Sequence, residues 1–199
     1  MAVIDLTPLP IAKAVPVPLT FGGVITSTTG GASQRVDRMG SRWQFQFATK
    51  PMFVSSGEYR QWAALLGAAT RLGGLCAVKV PGRTGIITGP TVVGSLVTGG
   101  RLLQIAGIGG GYTPSAGDWI SIIVGGQRYL DRITTSSGVS GGNCTVQLEN
   151  LIRVPIPANA VAELAAPRIE GDLVLSATPE WDVASGMKGA FEFTITEAR

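Results

Sequence analysis

The chain has 199 residues, which is enough for one full-sized hydrophobic core or for one core with a small second module. Only 15% of the residues are charged, against about 25% in an average globular domain, and 28 residues are glycine. The sequence contains no histidine, which excludes Ser-His-Asp and Cys-His catalysis and the common zinc sites. So little charge also indicates a surface that is partly covered by other subunits, and hence a component of an assembly.

The start of the chain and its uncharged runs carry no targeting or membrane signal. The segment MAVIDLTPLP contains Asp5 and neither a basic cluster nor an apolar core, so we expect no secretory signal. The run at 14–34 is rich in Pro, Gly, Thr and Ser, and we therefore expect no membrane-spanning segment. Cys76 and Cys144 lie in strand-like surroundings, which favours two buried apolar side chains over a disulfide, and a reducing compartment during folding.

Strict alternation of apolar and polar residues predicts two half-buried strands near opposite ends of the chain. In RWQFQFAT, residues 42–49, aromatic side chains alternate with Arg and Gln. FEFTIT, residues 191–196, repeats the pattern with Phe and Ile opposite Glu and Thr. Two such strands indicate one sheet around which the whole domain closes.

Between these strands the sequence predicts one helix, at about residues 56–72. Ser55 and Glu58 have the spacing of a capping box, and Gly73 and Gly74 supply the left-handed stop. Apolar side chains recur at helical spacing, which favours a stripe that faces the core over an aromatic ligand site. The stripe consists of Tyr59, Trp62, Leu66 and Ala69.

From residue 91 to residue 153, short β-type runs alternate with dense turn signals. Gly125 and Gly126 suit a tight hairpin between two of these runs. The Ala- and Pro-rich segment that follows, 154–167, is expected to form a single helical turn or a linker. Five strands, the size of a small barrel, are predicted at 92–97, 101–108, 118–124, 127–133 and 144–148.

The fold class that these elements predict is mainly β. We expect the body to be a β-sandwich or split barrel with one α-helix, formed by residues 1–90 and 156–199. Residues 91–155 are expected to form a small β-barrel inserted into that body.

Charge is distributed unevenly along the chain. Residues 30–110 contain nine basic and two acidic side chains, whereas residues 111–199 contain six basic and ten acidic ones. This asymmetry fits two differently charged sheet faces, or a head-to-tail contact in which the basic part of one copy meets the acidic part of the next. Nucleic-acid binding is a third interpretation, but the basic residues are scattered singly and no stacking aromatics are interleaved with them.

Few residues suggest chemistry. Acidic pairs occur at Glu170 and Asp172 and at Glu180 and Asp182, and two carboxylates across a cleft are what glycoside hydrolysis needs. Isolated acidic pairs are more often solvated turns, so we expect no enzyme, no metal and no cofactor. The glycine-rich segment at 106–112 lacks the Lys-Ser/Thr pair of a nucleotide phosphate loop, and we interpret it as a hairpin tip.

The segment GDWISIIVGGQRYLDRI, residues 117–133, carries one Trp and one Tyr among aliphatic residues. Trp119 and Tyr129 would suit the stacking of a sugar or a base, which gives a carbohydrate-binding module as a second functional hypothesis. Their near-continuous apolar neighbours favour packing in the core instead. The sequence therefore predicts a structural wall here rather than a ligand pocket.

Short motifs across most of the chain together resemble the small tail-tip proteins of bacteriophages with long, non-contractile tails. They read W-x-F-x-F, P-M, W-x-x-L, GDWI, Q-R-Y, T-V-x-L, R-V-P and F-x-F-T-I. Within that group the resemblance is to the distal tail protein. The residues that carry it are Trp43, Phe45, Phe47, Pro51, Met52, Trp62, Leu65, Gly117 to Ile120, Gln127 to Tyr129, Thr145, Val146, Leu148, Arg153 to Pro155 and Phe191 to Ile195.

The resemblance implies a structural virion protein rather than an enzyme. Distal tail proteins form a hexameric ring that joins the tail tube to the central hub of the tip. We therefore expect this chain to be made in the host bacterial cytoplasm, to reside in the virion, and to contact itself, the tail tube protein and the tail hub protein, with transient passage of DNA through the lumen and no membrane. Many distal tail proteins add a C-terminal carbohydrate-binding-like domain, whereas the extra module here is internal. A tail terminator, another minor tail protein, a carbohydrate-binding adsorption module and a tail-associated hydrolase remain alternatives.

Overall fold

The computed structural model describes residues 3–28, 30–79, 82, 91–109, 111–176 and 187–198, which form one helix and sixteen strands. The helix, α1, is Gly57–Leu72. The strands before residue 80 are β1 (Ile4–Asp5), β2 (Ile11–Leu19), β3 (Gly23–Ile25), β4 (Gln34–Val36), β5 (Arg42–Thr49), β6 (Met52–Phe53) and β7 (Gly74–Ala77). Those after residue 90 are β8 (Thr91–Val93), β9 (Leu102–Ala106), β10 (Trp119–Val124), β11 (Gln127–Ser136), β12 (Cys144–Leu148), β13 (Val161–Glu163), β14 (Arg168–Leu175), β15 (Lys188–Gly189) and β16 (Glu192–Glu197).

The body contains a six-stranded sheet in the order β1-β7-β14-β16-β5-β2. The strands predicted from alternation, β5 and β16, are neighbours in this sheet, with Phe193 opposite Phe47 and Ile195 opposite Phe45. Because side chains alternate between the two faces of a strand, these aromatic and aliphatic groups form one apolar face in the core. Two small sheets, β3-β4 and β6-β15, lie outside it.

The helix packs its buried side chains into the same core as the sheet. Its N-cap is Ser56, whose Oγ accepts a hydrogen bond from the Tyr59 N–H at 3.1 Å. The predicted capping box at Ser55 is therefore displaced by one residue. Gly73 ends the helix at the predicted position, but its φ of 88° and ψ of 159° are not the left-handed helical conformation that was predicted. The core-facing stripe is confirmed, with Trp62 only half-buried and these residues fully buried: Tyr59, Ala63, Leu66 and Ala69.

A closed barrel of six strands, in the order β10-β11-β12-β9-β8-β13, lies between β7 and β14 in the chain. The two flanking strands are paired neighbours in the body sheet, so the barrel is an insertion between them. Its interior is filled by aliphatic side chains from the inward face of its strands. The mainly-β fold with one helix and a small inserted barrel is therefore confirmed.

One part of the sequence prediction is wrong. The segment at 154–167 forms neither a helical turn nor a linker, because Val161–Glu163 is the strand that closes the barrel between β8 and β10. Ile156 and Leu164 also pack in the barrel core, so the barrel extends past the predicted boundary at 155. Ala162 fills the inward position of this short strand. Its side chain is too small to produce the alternation of large apolar and polar residues that predicts a strand from sequence.

Candidate assembly surface

Trp119 lies in the core, where it joins the barrel to the sheet. It is 6% exposed, and its ring makes edge-to-face contacts with Trp43 at 4.7 Å and with Phe45 at 5.0 Å between ring centroids. A buried ring has no face free to stack on a sugar. The expectation that this residue builds a wall is confirmed.

Tyr129 does not share a surface with Trp119. The register of β10 and β11 places Tyr129 opposite Ile122 and Trp119 opposite Arg132, so the two rings project from opposite faces of the ribbon. The Arg153 guanidinium carbon also lies 5.3 Å from the centroid of the Tyr129 ring and covers it. The two aromatic residues that suggested a sugar site are therefore not brought together.

The acidic pair Glu170 and Asp172 is divided between a buried and an exposed position. Glu170 is buried and accepts a hydrogen bond from Arg128 Nη1 at 3.2 Å, whereas Asp172 is exposed. Glu180 and Asp182 lie outside the described residues. Within the described ranges, His, Cys, Asp and Glu side chains nowhere gather in a group of three that could hold a metal ion. The helix of the described chain, α1 with 16 residues, falls short of what a membrane span requires.

A polar cluster, which we call the junction, connects the barrel to the sheet beside the paired Trp rings. Glu197 is fully buried and accepts hydrogen bonds from the backbone N–H groups of Trp43 and Leu130 and from the Arg153 guanidinium. Burial raises the pKa of Glu197 to about 7, while the Arg153 charge and the two N–H groups oppose that rise. The carboxylate thus fastens sheet strands to barrel strand β11.

Asp131 completes the junction from the barrel side. Its Oδ1 accepts hydrogen bonds from Trp43 Nε1 at 3.0 Å and from Asn150 Nδ2 at 3.0 Å. Burial raises the pKa of Asp131, and these hydrogen bonds oppose the rise. The side-chain atoms of the junction are satisfied from within the chain, so this buried polar group stabilises the fold rather than presenting a reactive carboxylate to solvent.

Intramolecular ion pairs occupy four of the eight described carboxylates in the acidic half of the sequence, residues 111–199. Asp118 and Asp131 are buried, and the exposed carboxylates among the described residues of that half are Asp172 and Glu192. The pairs are Glu149 with Arg132, Glu163 and Glu170 with Arg128, and Glu197 with Arg153. The acidic half therefore offers a neighbouring copy a much smaller acidic surface than its composition indicates.

The described residues of 20–41, that is 20–28 and 30–41, are called the arm and leave the body as the two-stranded sheet β3-β4. All three residues of β3 are exposed. A two-stranded hairpin is marginally stable by itself, and apolar side chains on it need a covering layer. Four large apolar side chains of the arm are between 48% and 63% exposed: Phe21, Val24, Ile25 and Met39.

The base of the arm is fastened beside the barrel. An ion pair joins Asp37 to Arg101, and the Phe21 N–H donates a hydrogen bond to Ser41 Oγ at 3.2 Å. The Arg42 guanidinium carbon lies 5.8 Å from the centroid of the Phe21 ring. A cavity of about 390 Å³ remains between arm and barrel, lined among others by Thr20, Gly23, Arg38, Arg101, Glu149 and Asn150. The arm is thus fixed by contacts where it leaves the body, whereas the side chains along the hairpin are exposed.

A second apolar area, which we call the barrel patch, lies on the outside of β13, β8 and β9. Val161 pairs with Val92, which pairs with Ala106, so these three side chains form a row across the strands. Leu102 lies on the same outward face of β9 and is 61% exposed. The inward positions beside them are filled by Val93, Leu103, Ile105 and Ala162. The barrel patch is therefore an outer apolar surface, separate from the core that fills the barrel.

One edge of the six-stranded sheet is poorly suited to pairing with another strand. Strand β2 forms this edge and contains Pro16 and Pro18, which lack backbone N–H groups. Proline is tolerated in a sheet where the missing donor points away from the neighbouring strand, so the outer side of β2 lacks donors at these positions. Contacts between copies are then expected through side chains rather than through a continuous sheet.

Sequence reasoning did not identify the arm or the barrel patch. Two short β-type runs that flank a Gly- and Ser-rich turn at 30–33 are a hairpin signal, but nothing in them shows that Val24 and Ile25 stay exposed. The two buried cysteines form no site, and burial raises the pKa of the Cys76 thiol to about 12.

No protein-family model matches this chain, and no curated protein matches it.

Proposed function

We propose that this chain is a structural virion protein, a subunit of the ring that joins the tail tube of a non-contractile bacteriophage tail to the hub at its tip. The observation that carries the proposal is the arm, whose apolar side chains are exposed on a hairpin with no core of its own. Only 15% of the residues are charged, which further supports a surface covered by neighbouring subunits.

The contacts of Trp119 and Tyr129 also favour assembly over ligand binding. The ring of Trp119 is buried against Trp43, and that of Tyr129 is covered by Arg153. Neither ring is free to stack on a carbohydrate, so the adsorption-module hypothesis loses the two residues on which it rested. The chain acts through the shape and polarity of its surfaces, without catalysis or a cofactor.

In this role each copy contacts two further copies within a ring, the tail tube protein on one side and the tail hub protein on the other. The ring belongs to the virion, and its lumen passes DNA during ejection. The prolines of β2 keep the sheets of neighbouring copies from merging, because the edge lacks the donors that a ladder of hydrogen bonds requires.

The test is the assembly state of the full chain. Native mass spectrometry and negative-stain electron microscopy of the purified chain should show a closed ring of one defined size. Immunogold labelling of virions from the phage that encodes it should place the chain at the tail tip. A monodisperse monomer at high protein concentration, together with virions that carry no label at the tip, would contradict the proposal.

A further inference from the structure

We propose that the arm is a hinged element whose position over the barrel is set by the ion pair between Asp37 and Arg101. This pair acts as a latch: while it holds, the arm keeps the position seen in the structure, and when it breaks the arm pivots about its root, residues 20–22 and 38–41. The hinge is a property of the single chain, so it goes beyond the proposed assembly function and does not depend on it.

The arm is built to move as one unit. Within the described chain, β3 and β4 pair with each other and with no other strand. At the root, the Phe21 N–H donates a hydrogen bond to Ser41 Oγ at 3.2 Å, which ties the two ends of the arm together. The hairpin therefore keeps its own hydrogen bonds when its angle to the body changes.

Two glycines mark the pivot, and both lie outside β3 and β4. Gly40 has a φ of 114°, in the region that residues with a Cβ rarely adopt. A Cβ at Gly22 would lie 2.8 Å from the carbonyl oxygen of Val36, so the two sides of the hairpin approach each other more closely here than a larger residue permits. Hinges consist of a few residues of this kind at the ends of elements, where backbone rotation is taken up.

The latch itself is exposed and weak. Among the described residues, one ion pair joins the arm to the barrel, and its Asp37 and Arg101 side chains are 50% and 34% exposed. Ion pairs of this exposure stabilise a contact only slightly and are screened by salt. Such a pair suits a contact that opens and closes rather than a permanent one.

The cavity beneath the arm gives it room to move. This space of about 390 Å³ is lined by Gly23 and Val24 from the arm, and by Asn150 and Leu151 from the segment that follows β12. The walls of the cavity are separated rather than packed together. Breaking the ion pair thus removes the charged contact across the cavity, and the space allows the hairpin to change its angle.

The position of the latch beside the pivot amplifies the movement. Asp37 directly follows Val36, which pairs with Gly23 at the root end of the hairpin, whereas Ile25 lies two residues further toward the tip. Since the hairpin turns as one unit, a small separation of Asp37 from Arg101 becomes a larger displacement of Ile25. A probe at Ile25 is therefore the most sensitive to the state of the latch.

Double electron–electron resonance tests the hinge in the full chain. Spin labels are attached at Ile25→Cys in the arm and Val174→Cys on β14, two positions that are more than half exposed. Cys76 and Cys144 are buried and leave a low background, and an excess of unlabelled chain removes distances between copies. We expect one distance at about 0.05 M sodium chloride, and a second, displaced distance whose share rises as the salt approaches about 1 M.

Variants of the pair should reproduce the effect of salt. Arg101→Gln should raise the ratio of displaced to latched arm by about two- to fivefold at low salt, the range that an exposed ion pair supplies. Asp37→Asn removes the same pair from the other side and should give the same result. The exchanged pair, Asp37→Arg with Arg101→Asp, should restore the wild-type distance.

The matched control is Arg38→Gln, which removes a positive charge from the same cavity wall and leaves the ion pair intact. It should keep the wild-type distance at low salt, and circular dichroism verifies the fold of every variant. An arm distance that responds neither to salt nor to Arg101→Gln and Asp37→Asn would overturn the latch. An equal shift in Arg38→Gln, or an exchanged pair that does not restore the distance, would overturn it also.

These outcomes are separate from those of the assembly experiment. Rings whose arm ignores both salt and the loss of the ion pair would overturn the hinge and leave the proposed function standing. A monomer at high concentration whose arm responds as expected would support the hinge and contradict the proposed function.

Discussion

The junction between barrel and sheet buries two Trp rings and two carboxylates, whereas the arm leaves its apolar side chains exposed and is held at its root. At the junction, Trp43 contacts both Trp119 and Asp131 within the same chain. In the arm, Val24 and Ile25 have no comparable cover. The difference indicates that the junction stabilises the chain, whereas the arm is the surface that we propose for contacts outside it. Substitutions in the two regions should therefore act on different measurements.

The largest effect is expected at the centre of the junction, from Trp43→Ala. The change removes the edge-to-face contact with Trp119 and leaves Asp131 without the donor at Nε1. Large-to-small changes of this kind cost about 3–5 kcal/mol in the free energy of unfolding. Chemical denaturation of the dissociated chain, at low concentration, measures the loss.

The matched control in the arm is Phe21→Ala, another aromatic truncation, at a side chain that is half exposed. Its effect on the unfolding of the dissociated chain should stay within about 0.5 kcal/mol, as for ordinary surface changes. Equal losses in Trp43→Ala and Phe21→Ala would show that the arm is part of the core, and the contrast between the regions would be lost.

The next effect concerns pH and Glu197. Burial raises the pKa of Glu197 to about 7 from its ordinary value of 4.5, so the folded chain holds the proton more tightly than the unfolded chain. The stabilisation from this proton is complete below about pH 4.5 and is lost as the pH rises through about 7. At about 1.4 kcal/mol per unit, the change is roughly 3 kcal/mol across that window.

Glu197→Gln should flatten this part of the profile, because the amide does not titrate. Denaturation midpoints between pH 4.5 and pH 8 give the measurement, and Asp131 leaves a residual slope of the same sign because burial raises its pKa too. Glu192→Gln, an exposed change in the same strand, is the control and should keep the wild-type profile. A wild-type slope that survives in Glu197→Gln would contradict this role for Glu197.

Local pattern predicts much of the fold but little of the candidate site. The alternation in β5 and β16 and the helical spacing from Tyr59 to Ala69 each reflect one buried face, so they are visible in the sequence. Strand β13 was missed because it is three residues long and contributes only Ala162 to the barrel interior. Its presence depends on the partners β8 and β10 rather than on its own composition.

The junction and the arm depend on contacts that no local pattern encodes. Glu197 meets the backbone of Trp43 across 154 positions of the chain, and only the sheet order brings them together. From sequence alone, an isolated Glu near the end of a strand is predicted to face solvent. Conversely, two adjacent large apolar residues such as Val24 and Ile25 are predicted to be buried, and their exposure follows from the absence of a covering layer in the described chain.

The smallest and most local comparison uses one substitution, Gly→Ala, in both regions. A Cβ at Gly171 would lie 1.9 Å from the carbonyl oxygen of Thr196 and 2.8 Å from Cα of Glu197, and backbone atoms cannot rotate away from it. The strands must separate at the point where Glu197 enters the junction. Overpacking of this kind costs about 1–3 kcal/mol or more.

At Gly23, in the arm, a Cβ meets nothing within 4 Å, and φ is not in the left-handed region. Alanine fits at this position without strain and lowers the conformational entropy of the unfolded chain. Gly23→Ala should therefore leave the free energy of unfolding unchanged or raise it by about 0.5 kcal/mol. Thermal unfolding of the two variants under identical conditions measures the difference. If Gly171→Ala were tolerated as well as Gly23→Ala, the close approach of β14 to β16 would not hold the junction in place. The stability of the subunit would then have to originate elsewhere in the sheet.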